Sequence, residues 1–415
     1  MSLRLRRHVA TLGVMTVALA AGALAAAHPL GADPPVPSAA AAAAVAPVAG
    51  GADDIPPPAQ DAFYQAPSPL PAGEPGTIIR SRPVTVRSGF AGVDYQPVLA
   101  WQVLYRSTSA LGEPVAVSGT VIVPDRPWGD GPRPLVTYAV GTHGLGDQCA
   151  PSYELRTGAE GERGLLGQAL QRGWAVVVTD YEGLGTPGTH TYAVGVAEGH
   201  AVLDAAWAAQ RLPEAGLAAD GPVGIWGYSQ GGQAASWAGE LAPAYAAELQ
   251  VAGVAAGGVP ADLVAVTRNV DGGPAAGLVV AGAVGYDSAY PELGLASLLN
   301  AEGKAAAAQV AASCTEEIVA QHPFRRMADY TTVADPLAEP RFAARLAENR
   351  AGTRAPGAPV LVYHGTADEL IPVGIGRQLA DDYCRLGAAV RWQELPLLGH
   401  VQAAMAGAPV AVSWL

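Results

Sequence analysis

Val223-Gly224-Ile225-Trp226-Gly227-Tyr228-Ser229-Gln230-Gly231-Gly232 is the stretch from which the rest of the chain can be read. Residues 223–226 form a short apolar run, and residues 230–246 have the length and composition of a helix. Gly227-Tyr228-Ser229-Gln230-Gly231 therefore stands at a turn from strand to helix. A side chain at either flanking position of so tight a turn collides with neighbouring backbone, so glycine is needed there and the serine hydroxyl is lifted clear. The helix that starts here aims free N–H groups and the positive end of its dipole above Ser229, the N–H of Gln230 foremost. An ordinary glycine turn is the competing reading, and the strand and helix on either side weigh against it.

A serine hydroxyl is hardly ionised at neutral pH. Catalysis through Ser229 needs a base to take its proton and a carboxylate to hold that base in one tautomer. Both follow downstream: Asp368 after the run 360–363, in His364-Gly365-Thr366-Ala367-Asp368, and His400 after the run 390–394, in Leu398-Gly399-His400. The chain order Ser, Asp, His is that of the α/β-hydrolase fold. In that fold a second oxyanion donor comes from the loop after an earlier strand. Gly141-Thr142-His143-Gly144-Leu145-Gly146 follows the run 135–140, so the N–H of His143 is expected to join that of Gln230. A flexible glycine connection is the duller reading of this loop. Asp180 ends a strand but precedes the serine, and is expected to brace a loop. His364 stands too close to its strand to act as the base, and His190 and His200 flank a turn and a helix; all three are expected to be structural.

Outward from the turn, β-rich runs at 99–106, 115–123, 135–140, 175–179, 223–226, 251–255, 360–363 and 390–394 read as strands. Helix-length segments at 161–172, 196–211, 230–246 and 375–386 alternate with them. This alternation predicts an α/β protein with a mostly parallel central sheet flanked by helices. Between about 260 and 358 it stops, and helix-like segments at 296–321 and 341–349 are interrupted by Gly and Pro. A helical cap inserted over a pocket is expected there, with a plain packing layer as the alternative.

Half of the 415 residues are hydrophobic and 15% are charged, which is ample apolar material for a core. A net charge of −13 argues against partners such as nucleic acid or anionic lipid, which need clustered Lys and Arg. Neither GxxxxGK[ST] nor a helix-opening GxGxxG nor a zinc-type cysteine spacing occurs, so no cofactor and no metal are expected. Residues 1–27 combine Arg4, Arg6 and Arg7 with the apolar run 9–25 and a small-residue end at Ala25-Ala26-Ala27, the three parts of a secretory signal peptide. A membrane anchor is the competing reading. The protein is expected to be secreted or held at the cell envelope. Residues 28–77, rich in Ala and Pro and poor in large apolar side chains, predict a disordered leader ahead of a folded domain at 78–415. Export permits disulfides among Cys149, Cys314 and Cys384, one of which stays unpaired unless it bonds between chains.

Cys149-Ala150-Pro151-Ser152-Tyr153, Thr179-Asp180-Tyr181-Glu182-Gly183, Gly227-Tyr228-Ser229-Gln230-Gly231-Gly232, Gly272-Gly273-Pro274-Ala275-Ala276-Gly277 and Asp368-Glu369-Leu370-Ile371-Pro372 with His400 form a set. Together they resemble the motifs of the secretory lipase family, the group of Candida lipase A and many actinobacterial exported lipases. The likeness spans nearly everything from Ile78 onward. It implies hydrolysis of triacylglycerols or related acyl esters, a cap inserted before the aspartate strand, and a disulfide between Cys149 and a cap cysteine, here Cys314. Cys384 is then left unpaired. The chain stops at Leu415, soon after His400, where relatives continue; a wider pocket and a looser chain-length preference are expected. The expected partner is an acyl ester or lipid, met at a lipid–water interface, with no obligate protein partner. Two other readings stand beside this one: a serine peptidase or acyltransferase using the same triad, and a non-catalytic cell-surface module on an Ala/Pro tether.

Overall fold

The computed structural model describes residues 55–87, 96–129 and 131–415. Among these residues nine strands form one sheet: β1 (Ile78–Pro83), β2 (Val98–Thr108), β3 (Pro114–Pro124), β4 (Leu135–Ala139), β5 (Ala175–Thr179), β6 (Pro222–Tyr228), β7 (Gln250–Gly257), β8 (Val360–Gly365) and β9 (Val390–Leu395). Their spatial order is β1-β2-β3-β5-β4-β6-β7-β8-β9. The pairs from β1 to β5 are antiparallel, and those from β5 to β9 are parallel. Strand β5, Ala-Val-Val-Val-Thr, is buried at all five positions, as a strand covered on both faces should be. The β-rich runs read from the sequence correspond to β2 through β9. Strand β1 has no apolar run to mark it in the sequence: it is an edge strand, half exposed and carrying Arg80, Ser81 and Arg82.

The helices are α1 (Pro151–Thr157), α2 (Arg163–Gln171), α3 (Gly195–Arg211), α4 (Gln230–Tyr245), α5 (Leu263–Val270), α6 (Gly277–Ala289), α7 (Ala301–Val310), α8 (Thr315–Gln321), α9 (Met327–Tyr330), α10 (Pro340–Glu348), α11 (Val373–Arg385) and α12 (His400–Trp414). From β4 the chain goes to β5 on one side, then crosses through α3 to β6 on the other. The loops leaving β4 and β6 thus lie where the strand order reverses, the crevice in which open α/β sheets bind ligands. Beneath it, Trp226 of β6 stacks edge-on to Tyr138 of β4 at 4.9 Å and donates to Tyr363 Oη of β8 at 3.1 Å. This packing ties together three of the strands whose ends carry the site.

Helices α5–α10 occupy the whole stretch between β7 and β8. They share a second hydrophobic cluster, with Val284, Tyr290, Val310 and Phe342 packed beside Leu145 and Val194 from the sheet's own loops. Helix α12 has no sequence signature, since its run of Ala, Gly and Val around Pro409 has no clear period. Its buried face packs on β7 and β8, and Leu415 lies under Gly224 and Gly253.

The start of the folded region needs correcting. Residues 55–77 were expected to belong to the leader, yet Phe63 and Tyr64 are buried in a small cluster with Leu104. Asp61 also pairs with Arg82 at 2.5 Å and with Arg156 at 3.3 Å. Two aromatic rings and an ion pair are enough to order a segment whose average composition suggests none. The expected signal at 1–27 and the leader up to residue 54 lie outside the described residues.

Candidate active site

Ser229 sits between β6 and α4 with φ 60° and ψ −124°, a conformation rare for a residue with a side chain. Its own N–H donates to Gly257 O at 2.9 Å. The flanking glycines have no substitute: a Cβ on Gly231 would lie 1.9 Å from Ala139 O, and one on Gly227 would lie 2.2 Å from Gly231 O. Backbone from β4, β6 and α4 converges here, and that convergence holds the serine in its strained pose.

His400, the first residue of α12, places Nε2 2.9 Å from Ser229 Oγ. Its Nδ1 lies 2.7 Å from Asp368 Oδ2. An ionised carboxylate only accepts, so Nδ1 carries the proton and Nε2 is left to accept from the serine hydroxyl. Asp368 Oδ1 accepts the N–H groups of Leu370 (3.0 Å) and Ile371 (2.8 Å), and His364 Nε2 stands 3.2 Å from Oδ2. Burial pushes the Asp368 carboxyl upward, but the hydrogen bonds from His364 and His400 outweigh it and hold the group well below the usual carboxylate range. The side chain of Asp368 is fully buried, which excludes water from the pair.

The N–H of Gln230 opens α4 and belongs to the helix end that lacks intrahelical acceptors. Across from it, Thr142 lines the same cavity as Ser229 and Gln230. The ring of His143 turns the other way, into a pocket of acids: Nε2 lies 2.9 Å from Glu160 Oε1 and 3.6 Å from Glu154 Oε2. The Gln230 side chain is also held, donating at 2.8 Å to Glu198 Oε1 and lying 3.1 Å from His190 Nε2. Nothing in the sequence pointed to Glu154, Glu160 or Glu198, because these acids reach His143 and Gln230 only once the chain has folded.

Asp180 accepts from Ser118 Oγ at 2.5 Å and from Ser152 N at 2.7 Å, bracing the start of α1. His190 Nδ1 lies 2.9 Å from Glu182 O, and His200 Nδ1 lies 3.1 Å from Thr108 O. Cys149 is bonded to Cys314, which ties the loop before α1 to the start of α8; Cys384 is free and exposed.

Above Ser229 opens a cavity of about 170 Å³. Thr142, Tyr192, Gln230 and Gln233 form its base. Its walls are mostly apolar, from α5 (Leu263, Val266), α6 (Leu278, Val279, Ala283), the turn before α7 (Leu298, Leu299) and α10 (Phe342, Leu346), with Arg325 and Arg326 among the polar residues that also line it. A hydroxyl paired with an imidazole at the foot of such a channel suits acyl transfer from a substrate with a hydrocarbon chain.

The chain is similar to known lipases. A family profile described as secretory lipase matches residues 154–415. A probable inactive lipase of Mycobacterium tuberculosis is 33% identical over 375 residues, covering 86% of this chain and 81% of the relative. A secreted triacylglycerol lipase of Malassezia globosa is also 33% identical, over 86% of this chain and 80% of its own. The crystal structure of Candida antarctica lipase A in its closed state superposes with a TM-score of 0.75 at 28% identity, covering 85% of this chain and 84% of that one. The sheet and its flanking helices are those of an α/β-hydrolase.

Proposed function

The chain belongs to the secretory lipase family, a family of ester hydrolases, and on that premise we propose that Ser229 cleaves triacylglycerols or related acyl esters through an acyl-enzyme. The observation that carries the proposal is the unbroken contact from Ser229 through His400 to Asp368 at the base of an apolar channel. Ser229 Oγ attacks the ester carbonyl while His400 Nε2 takes its proton, and Asp368 stabilises the imidazolium that forms. The N–H of Gln230 and that of His143, on the facing loop, receive the oxyanion. The imidazolium then passes its proton to the departing alcohol. Water, deprotonated in turn by His400, attacks the acyl carbonyl and frees the acid, and the proton returns to Ser229.

Helices α5–α10 act as the cap, with the acyl chain lying along their apolar faces and the ester at the mouth of the channel. Relatives named as secreted lipases support an extracellular setting. Attachment to the cell envelope would add a tether to the same activity.

One relative is named as a probable inactive lipase, so a non-catalytic role needs a direct test. Serine, imidazole and carboxylate in contact favour catalysis here. The secreted protein should hydrolyse tributyrin, triolein and p-nitrophenyl esters, react with a fluorophosphonate at Ser229, and lose both properties in Ser229→Ala with its fold unchanged. Full activity in Ser229→Ala would remove the assignment. Turnover of aminoacyl amides in preference to esters would make the enzyme a peptidase, and acyl transfer to alcohols in preference to water an acyltransferase.

A further inference from the structure

The loop after β4 is gripped by side chains that the reaction does not touch. Gly141 N–H donates to Glu162 Oε1 at 3.0 Å, and Gly141 O lies 2.9 Å from Nδ1 of His143. Nε2 of the same ring lies 2.9 Å from Glu160 Oε1. Both ring nitrogens therefore face acceptors, one a carbonyl and the other a carboxylate. A neutral imidazole has a single N–H and would turn its other lone pair onto an oxygen, so this ring carries two protons. It is an imidazolium whose side chain is 8% exposed, against a Glu160 side chain with no exposure.

A buried ion pair contributes little to stability when measured against apolar packing of the same volume, so its presence here invites another explanation. The next two carbonyls supply one. Thr142 O accepts from Thr315 Oγ1 at 2.9 Å, and His143 O accepts from Thr315 N at 3.0 Å. With these carbonyls drawn toward α8, the N–H groups of Thr142 and His143 have no acceptor among the described residues. Thr142 faces the cavity that holds Ser229.

We propose that the His143 imidazolium, with Glu160 and Glu162, is a positioning device for the oxyanion loop, clamping Gly141 so that the N–H groups after it point at the acyl carbonyl. The proposal rests on the ester-hydrolase reading above. Burial works against the charged ring, but Glu160, Glu162 and Glu154 prevail and push its pKa up to about 10. Other ionisable groups around the cluster are Tyr138, whose hydroxyl donates to Glu162 Oε2 at 2.8 Å, Asp180, after β5, and His190, which burial pushes down to about 4. The His143 ring therefore keeps its charge throughout the neutral range, while burial pushes Glu162 and Glu154 up to about 7.

The protonation state can be read without substrate, by 15N NMR of the full chain labelled at histidine. His143 should give imidazolium shifts at pH 7 that persist to pH 9; a neutral ring at pH 7 overturns the proposal while leaving ester hydrolysis intact. For the link to catalysis, Glu160→Gln should lower kcat on a soluble p-nitrophenyl ester by roughly 10- to 100-fold, with KM changed far less. It should weaken a trifluoromethyl ketone inhibitor, which mimics the oxyanion, by a similar factor. A role confined to holding the fold together would lower the melting temperature and leave both values alone, and that result also overturns the proposal. Should Glu160→Gln fail to fold, Glu162→Gln, which keeps an acceptor for Gly141 N–H but loses the charge, is subject to the same two outcomes.

Discussion

His400 Nδ1 lies 2.7 Å from Asp368 Oδ2, and this contact decides which ring nitrogen faces Ser229. Asn at 368 offers an N–H to Nδ1, which moves the ring proton to Nε2 and removes the acceptor the serine needs. Asp368→Asn should lower kcat by on the order of 10⁴-fold with the melting temperature nearly unchanged. Burst kinetics with a p-nitrophenyl ester would show whether acylation is the step lost; normal acylation would contradict the assigned role of Asp368.

Gly231→Ala should be among the most damaging small substitutions in the chain. Its methyl would meet Ala139 O at 1.9 Å, and that atom belongs to a buried strand that has no room to retreat. A loss of more than about 4 kcal/mol is expected, or no soluble protein at all. Urea unfolding of the variant measures this, and wild-type stability would mean that the turn is built differently.

The Cys149–Cys314 bond closes a loop with a sequence separation of 165. Replacing both cysteines with Ser should cost about 2–4 kcal/mol. Because Cys314 also lies against Gly144, where a Cβ would come within 2.5 Å of its Cα, activity should fall along with stability. Cys384→Ser, at an exposed and unpaired position, should change neither. Differential scanning calorimetry beside an esterase assay separates the two effects.

Glu198 gives a pH dependence with a definite sign. Burial pushes its carboxyl up from 4.5 to about 8, against the hydrogen bonds from Gln230 and Ala193. The folded state holds this proton more tightly than the unfolded chain does. The stability it lends is therefore complete below about 4.5 and lost progressively as pH rises to about 8. Glu198→Gln retains the acceptor and cannot ionise, so it should gain stability relative to wild type across that interval and level off above it. A difference independent of pH would show that Glu198 is ionised in the folded protein.

Gly282 lines the channel, and a Cβ there would meet nothing within 4 Å. Gly282→Leu should fold normally, since it replaces the weakest ordinary helix former with a strong one. The new side chain would stand in the path of a long acyl group. Activity on butyrate esters should persist while that on palmitate esters falls about tenfold or more. An unchanged chain-length profile would place the acyl chain elsewhere.

Much of the framework was legible in the chain itself. Strands β4 through β8 are largely apolar because parallel strands covered on both faces leave little room for polar residues, whereas the antiparallel β2 and β3 and the edge strand β9 show only as mixed β-rich runs. Ser229, Asp368 and His400 were readable for a related reason: each follows a strand at its carboxyl end, and the glycines around Ser229 mark a turn that only they can make. Strand β1 and the ordered segment around Phe63 and Tyr64 were not readable. Their order comes from partners such as Leu104, Arg82 and Arg156, remote in sequence, rather than from any local pattern.

The sequence by itself determined the order of elements, the sharp turn at Ser229 and the kinds of group that stand at the strand ends, because these depend on local sterics and on burial pattern. Only the tertiary structure decided that the ring of His143 carries a charge, that Glu198 sits under Gln230, and that α5–α10 enclose an apolar channel over the serine. Those features arise from side chains far apart along the chain being pressed together out of water. There a proton's position and a cavity's shape are set by distances of a few ångströms, which no one-dimensional pattern records.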